Sequence, residues 1–162
     1  MGSSPTVRTV KNSKTKIRNF SPSDLKEVIW IEKISFPNRK PYSEDYFKSL
    51  YQKYPEGFIV AKGNKGEIRG YTIGQSKNES AEIISLAVDP IWRKKGIGKT
   101  LTNFLINNFK EKGVKEISLH VRIKNKAGIT LYQNLGFQIL KTIKNYYSNG
   151  DDAYLMKRNL GA

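Results

Sequence analysis

Residues 86–100 read Leu-Ala-Val-Asp-Pro-Ile-Trp-Arg-Lys-Lys-Gly-Ile-Gly-Lys-Thr, and this stretch decides the fold. It begins inside Ala81–Val88 (AEIISLAV), a β-branched run that predicts a strand ended by Pro90. Beyond it, Ile97, Leu101, Phe104, Leu105 and Phe109 recur with helical spacing, so a helix runs from Gly96 to about Lys112, with Gly113 as its stop. A strand, a glycine-rich basic turn and a helix therefore follow one another. The amides at a helix start point outward without partners, and the helix dipole adds partial positive charge. Glycines let a bulky anion approach the backbone. Residues 91–126 hold ten Lys or Arg against two Glu. The turn reads as a phosphate cradle, and its plain alternative is a basic loop with ordinary helix-start glycines.

Two other cradles are weaker. Gly98-Lys99-Thr100 mimics the end of a P-loop, but Arg93 stands where that motif needs its first glycine. A dinucleotide fingerprint needs a third glycine where Leu101 stands.

Outward from the turn, the elements alternate. Thr15–Phe20 predicts a first strand. Ser21-Pro22-Ser23-Asp24 opens a helix reaching about Ser35, and Ser43-Glu44-Asp45 opens a second. Between them lies the loop Phe36-Pro37-Asn38-Arg39-Lys40-Pro41-Tyr42. Gly57–Lys62 and Glu67–Gln75 flank a turn and predict a hairpin. Glu116–Ile123 predicts a strand and Asn125–Asn134 a short helix, with Phe137–Lys144 and Ala153–Lys157 a terminal strand pair. This order predicts an α/β fold with a mixed sheet. Residues 1–13 read as a flexible basic tail, with Met1–Ser4 as an expression remnant, and residues 14–162 as a single domain.

Composition narrows the function. The chain has 162 residues, no cysteine and one histidine, His120. That removes disulfide scaffolds, thiolate zinc sites, cysteine nucleophiles and multi-histidine metal motifs, so no metal site is expected. No apolar run approaches the roughly 20 residues of a membrane span, and the N-terminus has no secretory core. A soluble, cytoplasmic protein without membrane contact is the expectation. Twenty-nine basic residues against 14 acidic ones give +15, a charge suited to an anionic partner or simply to solubility. A basic nucleic-acid or ribosome-binding module is one reading of that charge, although the chain lacks recognisable nucleic-acid signatures.

Two signatures in order carry a family resemblance. Arg93-x-x-Gly96-x-Gly98 between strand and helix resembles motif A of the GCN5-related N-acetyltransferase (GNAT) superfamily. Asn125-Lys126-Ala127-Gly128-Ile129-Thr130-Leu131-Tyr132, then Gly136-Phe137, resembles its second signature, with Gly128 replacing the usual alanine. Leu119-His120-Val121-Arg122, Asn145-Tyr146-Tyr147, Asp151–Met156 and Phe36-Pro37 narrow the resemblance to protein N-terminal (Nα) acetyltransferases, among them the ribosomal-protein alanine enzymes and the NatA–NatE type catalytic subunits.

The resemblance implies a splayed, mostly antiparallel mixed sheet flanked by about four helices, with acetyl-CoA as donor. It implies direct transfer to the α-amine of a protein or peptide N-terminus in a ternary complex. Acetylation of protein lysines or small amines is the alternative within the fold. Backbone groups of Arg93, Lys94, Lys95, Gly96, Ile97, Gly98 and Lys99 would hold the coenzyme pyrophosphate, and those of Leu86, Ala87 and Val88 the pantetheine arm. Asn125 and Tyr132 match positions near the thiol, with Tyr132 the candidate general acid. His120 stands where relatives carry a Glu or His base, and Glu82 where they carry another polar catalytic group that works through water. Phe36, Pro37, Tyr42, Tyr146 and Tyr147 fall on loops flanking the peptide groove in relatives. Asn38 receives no catalytic role.

Overall fold

The computed structural model describes residues 14–37 and 42–161, and the backbone of 8–10. Its strands are β1 (Arg8–Val10), β2 (Thr15–Asn19), β3 (Phe58–Lys62), β4 (Ile68–Lys77), β5 (Ser80–Val88), β6 (Glu116–Arg122), β7 (Gln138–Ile143) and β8 (Ala153–Asn159). Its helices are α1 (Leu25–Ser35), α2 (Glu44–Lys53), α3 (Ile97–Glu111) and α4 (Lys126–Asn134). The expected α/β architecture with a mixed sheet and four helices is present.

The chain divides into two compact units. Residues 1–74 and 85–105 form one, and residues 75–84 and 106–162 the other. β4, β5 and α3 pass covalently from one into the other.

In the first unit, β1, β2, β3 and β4 pair antiparallel in that order. β3 is buried along Phe58–Ala61, as a strand with neighbours on both sides and cover on both faces must be. Gly57 is forced by proximity: a Cβ there would lie 2.0 Å from the Gly74 carbonyl oxygen. Helix α1 follows a 3-10 turn over Pro22–Asp24, whose Asp24 carboxylate accepts from the Ser21 amide at 2.9 Å and pairs with Lys62 at 2.9 Å. Ser43 caps α2 by accepting from the Tyr46 amide at 3.1 Å. The core includes Ile17, Val28, Ile31, Phe47, Tyr71 and Leu101.

Arg8–Val10, inside the stretch read as a flexible tail, forms β1 and pairs with Thr15–Ile17 of β2. An open strand edge offers a row of backbone partners, and three residues with two β-branched side chains suffice to occupy it. The rest of that stretch, including Met1–Ser4, and Asn38 lie outside the described residues.

In the second unit, β5, β6, β8 and β7 are ordered side by side. β5 and β6 are parallel, and among the described residues their pairing covers Ser80↔Glu116 to Ile83↔Leu119. β8 lies antiparallel between β6 and β7. β6 alternates strictly, burying Ile117, Leu119 and Val121 and turning Ser118, His120 and Arg122 to the other face. β7 is the outer strand of this unit and carries a bulge between Ile139 and Lys141.

Candidate active site

The glycine-rich turn is built locally. Asp89 starts it, accepting from the Ile91 amide at 3.2 Å and capping a 3-10 turn over Pro90–Trp92. Lys94 and Gly96 then take left-handed backbone, with φ of 63° and 81°. Left-handed residues beside right-handed ones turn successive N–H groups toward one concavity. A Cβ on Gly96 would meet nothing within 4 Å, so the space over it is open. α3 starts at Ile97, and Thr100 and Thr102 send their hydroxyls back to the Gly96 and Gly98 carbonyls at 2.9 and 2.8 Å. Lys94, Lys95 and Lys99 are exposed, whereas Ile97 is buried as the first core residue of the helix.

Arg93 differs from these lysines. Its Nε donates to the Val88 carbonyl at 2.9 Å and its Nη2 to Ser35 Oγ at 3.3 Å. The guanidinium thus ties the end of β5 to the end of α1, immediately before Phe36 and Pro37. Phe36 is half-buried and Pro37 exposed. At the far end of that loop the Tyr42 amide donates to the fully buried Glu32 carboxylate at 3.3 Å, and the Tyr42 ring rests against Tyr46 and Phe47 of α2. In the strand ahead of the turn, Ala87 is buried and Leu86 and Val88 are half-exposed.

The second unit gathers the titratable candidates. Glu82 on β5 and His120 on β6 face each other, with Oε2 and Nδ1 3.8 Å apart. The other Glu82 oxygen accepts from Gln75 Nε2 at 3.0 Å. The Tyr146 ring lies parallel to the imidazole, with centroids 4.4 Å apart and planes within 10°. Burial holds His120 below its ordinary value of 6.5, and the Glu82 charge opposes that shift without overcoming it. The imidazole is therefore neutral at neutral pH.

The loop carrying Tyr146 and Tyr147 is anchored on Arg122. The guanidinium stacks 3.9 Å over the Tyr147 ring and donates from Nη1 to Asp151 Oδ2 at 2.6 Å and Asn149 Oδ1 at 3.0 Å. Lys124, then Asn149 and Arg122, hold the Asp151 carboxyl below its usual range. Asn145 takes left-handed backbone, φ 54°, and its amide donates to Asp152.

Tyr132 is buried on α4 against Phe137, and burial, with Tyr147 nearby, pushes its phenol well up. Asn125 caps α4, accepting from the Gly128 amide at 2.9 Å. That contact explains the tolerance of glycine at 128, where a Cβ would come within 2.6 Å of the Asn125 amide.

The expected residues thus fall into two groups. Phe36, Pro37, Tyr42, Leu86–Val88 and Arg93–Lys99 belong to the first unit, and Glu82, His120, Asn125, Tyr132, Tyr146 and Tyr147 to the second. Sequence reading gave no role to Gln75, Ser35 or Glu32. For Gln75 a signal existed: counting outward from the two-residue turn Asn78-Glu79 sets Gln75 opposite Glu82.

The sequence model of the acetyltransferase (GNAT) family matches residues 25–137. A Sulfurisphaera tokodaii protein named N-alpha-acetyltransferase is 31% identical over 159 residues, covering 90% of this chain and 93% of that protein. The crystal structure of Ard1 from Thermoplasma volcanium superposes with a TM-score of 0.85 at 30% identity, covering 91% of this chain and 99% of that one. Chaetomium thermophilum Naa20, crystallised with a bisubstrate analogue, gives 0.81 at 26% identity, covering 89% and 86%.

Proposed function

This chain belongs to the acetyltransferase (GNAT) family, and we propose on that premise that it moves an acetyl group from acetyl-CoA to the α-amine of a protein or peptide N-terminus, by direct attack in a ternary complex. The relatives named for N-terminal acetylation support this acceptor. The observation that carries it is the Glu82–His120 pair under the Tyr146 ring.

The glycine-rich turn suits the coenzyme. It has open space over Gly96, left-handed backbone at Lys94 and Gly96, and exposed Lys94, Lys95 and Lys99 for phosphate charge. Backbone groups of Arg93–Lys99 would hold the pyrophosphate and those of Leu86–Val88 the pantetheine arm. When bound, acetyl-CoA supplies the thioester carbonyl that the amine attacks. Arg93 works from behind, bracing the turn on Val88 and Ser35.

His120 takes the proton from the attacking amine, and Glu82 holds a water or the ammonium beside it. A terminal amine has a pKa near 7.8 against about 10.4 for lysine, so freeing a lysine costs roughly 3.5 kcal/mol more. A neutral imidazole matches the easier task. Tyr132, kept protonated by burial, serves as a hydrogen-bond donor toward the departing sulfur, and Asn125 caps the start of the same helix. Each unit brings its own acceptor-binding candidates, Phe36, Pro37 and Tyr42 in the first and Tyr146 and Tyr147 in the second. The chain has no cysteine to carry an acetyl group, which favours direct transfer.

The test is acetyl transfer to peptides differing in their first two residues, each also in an N-blocked form with a free lysine. Activity confined to free N-termini is the expected result, and activity surviving the block assigns the enzyme to lysine instead. The +15 charge also supports docking on ribosomes near nascent chains. Failure to co-sediment with ribosomes at low salt would remove that part. Among the described residues no helix is long and apolar enough to cross a membrane.

A further inference from the structure

The carboxylate of Glu82 has two partners to choose between. Oε1 accepts from Gln75 Nε2 at 3.0 Å, a full hydrogen bond. Oε2 stands 3.8 Å from His120 Nδ1, beyond hydrogen-bond distance. A carboxylate only accepts, so the Gln75 amide must face it with nitrogen, and that orientation is fixed by chemistry. A short rotation of the Glu82 side chain would exchange one contact for the other.

The consequences of the two contacts are opposite. A carboxylate bonded directly to imidazole favours the imidazolium, which has no lone pair left to accept a proton. A carboxylate held by a neutral amide keeps its orientation and adds no charge to the site. We infer that Gln75 is a positioning residue of the reaction: it holds Glu82 short of a hydrogen bond to His120, so that the imidazole meets the amine unprotonated. This rests on His120 being the base.

The surroundings of His120 leave this to Glu82. From β6 itself, Ser118 and Arg122 share its face. The Arg122 guanidinium is engaged by Asp151, Asn149 and the Tyr147 ring. From β8, Leu155 stands opposite His120, and Lys157, opposite Ser118, is paired with Glu116. From the loop, the Tyr146 ring covers the imidazole. From β5 comes Glu82. Asp151 is committed to Arg122 and Lys124. Among the described residues, Glu82 is the carboxylate in position to charge His120. Burial already prevails over Glu82 in setting the His120 protonation, in keeping with a carboxylate restrained at a distance.

His120 is the chain's one histidine, so its ring protons can be followed by NMR without assignment work. The experiment titrates the imidazole in the wild type, Gln75→Met, Glu82→Gln and the double variant, and records kcat/KM against pH on a free N-terminal peptide. Methionine keeps the length of glutamine and removes the donor. Gln75→Met should raise the His120 midpoint by about one pH unit. The double variant should match Glu82→Gln alone, because Gln75 acts through Glu82. Below both midpoints, kcat/KM of Gln75→Met should be about tenfold lower than wild type, converging at high pH, with coenzyme affinity unchanged. Gln75→Asn, one methylene shorter, should shift the midpoint part of the way, which guards against loss of folding in the methionine variant.

An unmoved or lowered midpoint in folded Gln75→Met overturns the inference, as does a rise that persists without Glu82. A midpoint that rises while the kcat/KM profile stays in place removes His120 as the base, and with it the catalytic consequence drawn here.

Discussion

The Tyr146 ring covers the His120 imidazole in a parallel stack, with centroids 4.4 Å apart. Burial is the larger cause of the lowered His120 value, so this cover is part of what keeps the imidazole neutral. Tyr146→Ala should move the His120 midpoint up toward 6.5 and carry the acid limb of kcat/KM with it. Tyr146→Phe should leave both in place. Unlike the effect of Gln75, this one should persist in a Glu82→Gln background, since it acts through water and not through charge. The sign for stability is fixed too. A histidine lowered on folding binds fewer protons than in the unfolded chain, so its contribution is complete above 6.5 and is lost as pH falls from there through its lower folded value. Thermal unfolding from pH 8 to 5 should show that loss, reduced in His120→Gln.

Gly96 separates coenzyme binding from stability. Its φ of 81° costs an L-residue about 1–2 kcal/mol, and no atom obstructs a Cβ there. Gly96→Ala should therefore fold, with a Tm lowered by a few degrees, while coenzyme affinity falls further than that small cost explains. Calorimetric titration with CoA beside thermal melts checks it. Equal affinity in wild type and variant would mean the anion sits elsewhere.

Tyr132 is a weak acid where it stands, because burial disfavours the phenolate. A required general acid is worth about 10²–10⁴ in rate. Tyr132→Phe should lower kcat by less than about tenfold, the loss of one hydrogen bond to sulfur. A fall of a thousandfold would restore the full acid role.

Arg122 and Asp151 hold the loop that presents Tyr146 and Tyr147. Arg122→Lys keeps the charge and a donor for Asp151 and Asn149 but gives up the planar stack on Tyr147. Acceptor KM should rise several-fold with coenzyme affinity unchanged, and Asp151→Ala should raise it further. Asp151 is lowered from 3.8, so its contribution is complete above that value and lost as pH falls through its lower folded value. Hydrogen exchange at the Tyr147 and Gly150 amides, which bond to the Asp151 and Tyr147 carbonyls, should quicken in Asp151→Ala.

Much of this was legible in the chain because it is encoded locally. The cap at Ser43, the strand ending before Pro90, the glycine that needs positive φ at 96 and the alternation that turns His120 and Arg122 to one face are each set by a few neighbouring residues. The features that escaped are set at a distance. β1 exists because β2 has an edge to fill, and Arg-Thr-Val alone carries no strand signal strong enough to announce it. Glu32 looks like one more charged residue on α1 until the Tyr42 amide comes back to it ten residues later. Arg93 reads as a cation for phosphate, and its guanidinium also reaches Val88 and Ser35, partners that composition could not name.

The irregular register of β7 bears on how copies of this chain behave at high concentration. Ile139 and Leu140 are exposed on an outer strand, the kind of rim that recruits strands from other molecules. The bulge between Ile139 and Lys141 breaks the even spacing of backbone donors and acceptors that an incoming strand would have to match. The two exposed apolar residues thus sit on an edge whose spacing is irregular where they stand. A chain lacking Leu140 would present an evenly spaced edge, with the side chains on one side of the deletion turned to the opposite face, and should self-associate more readily than the parent at equal concentration.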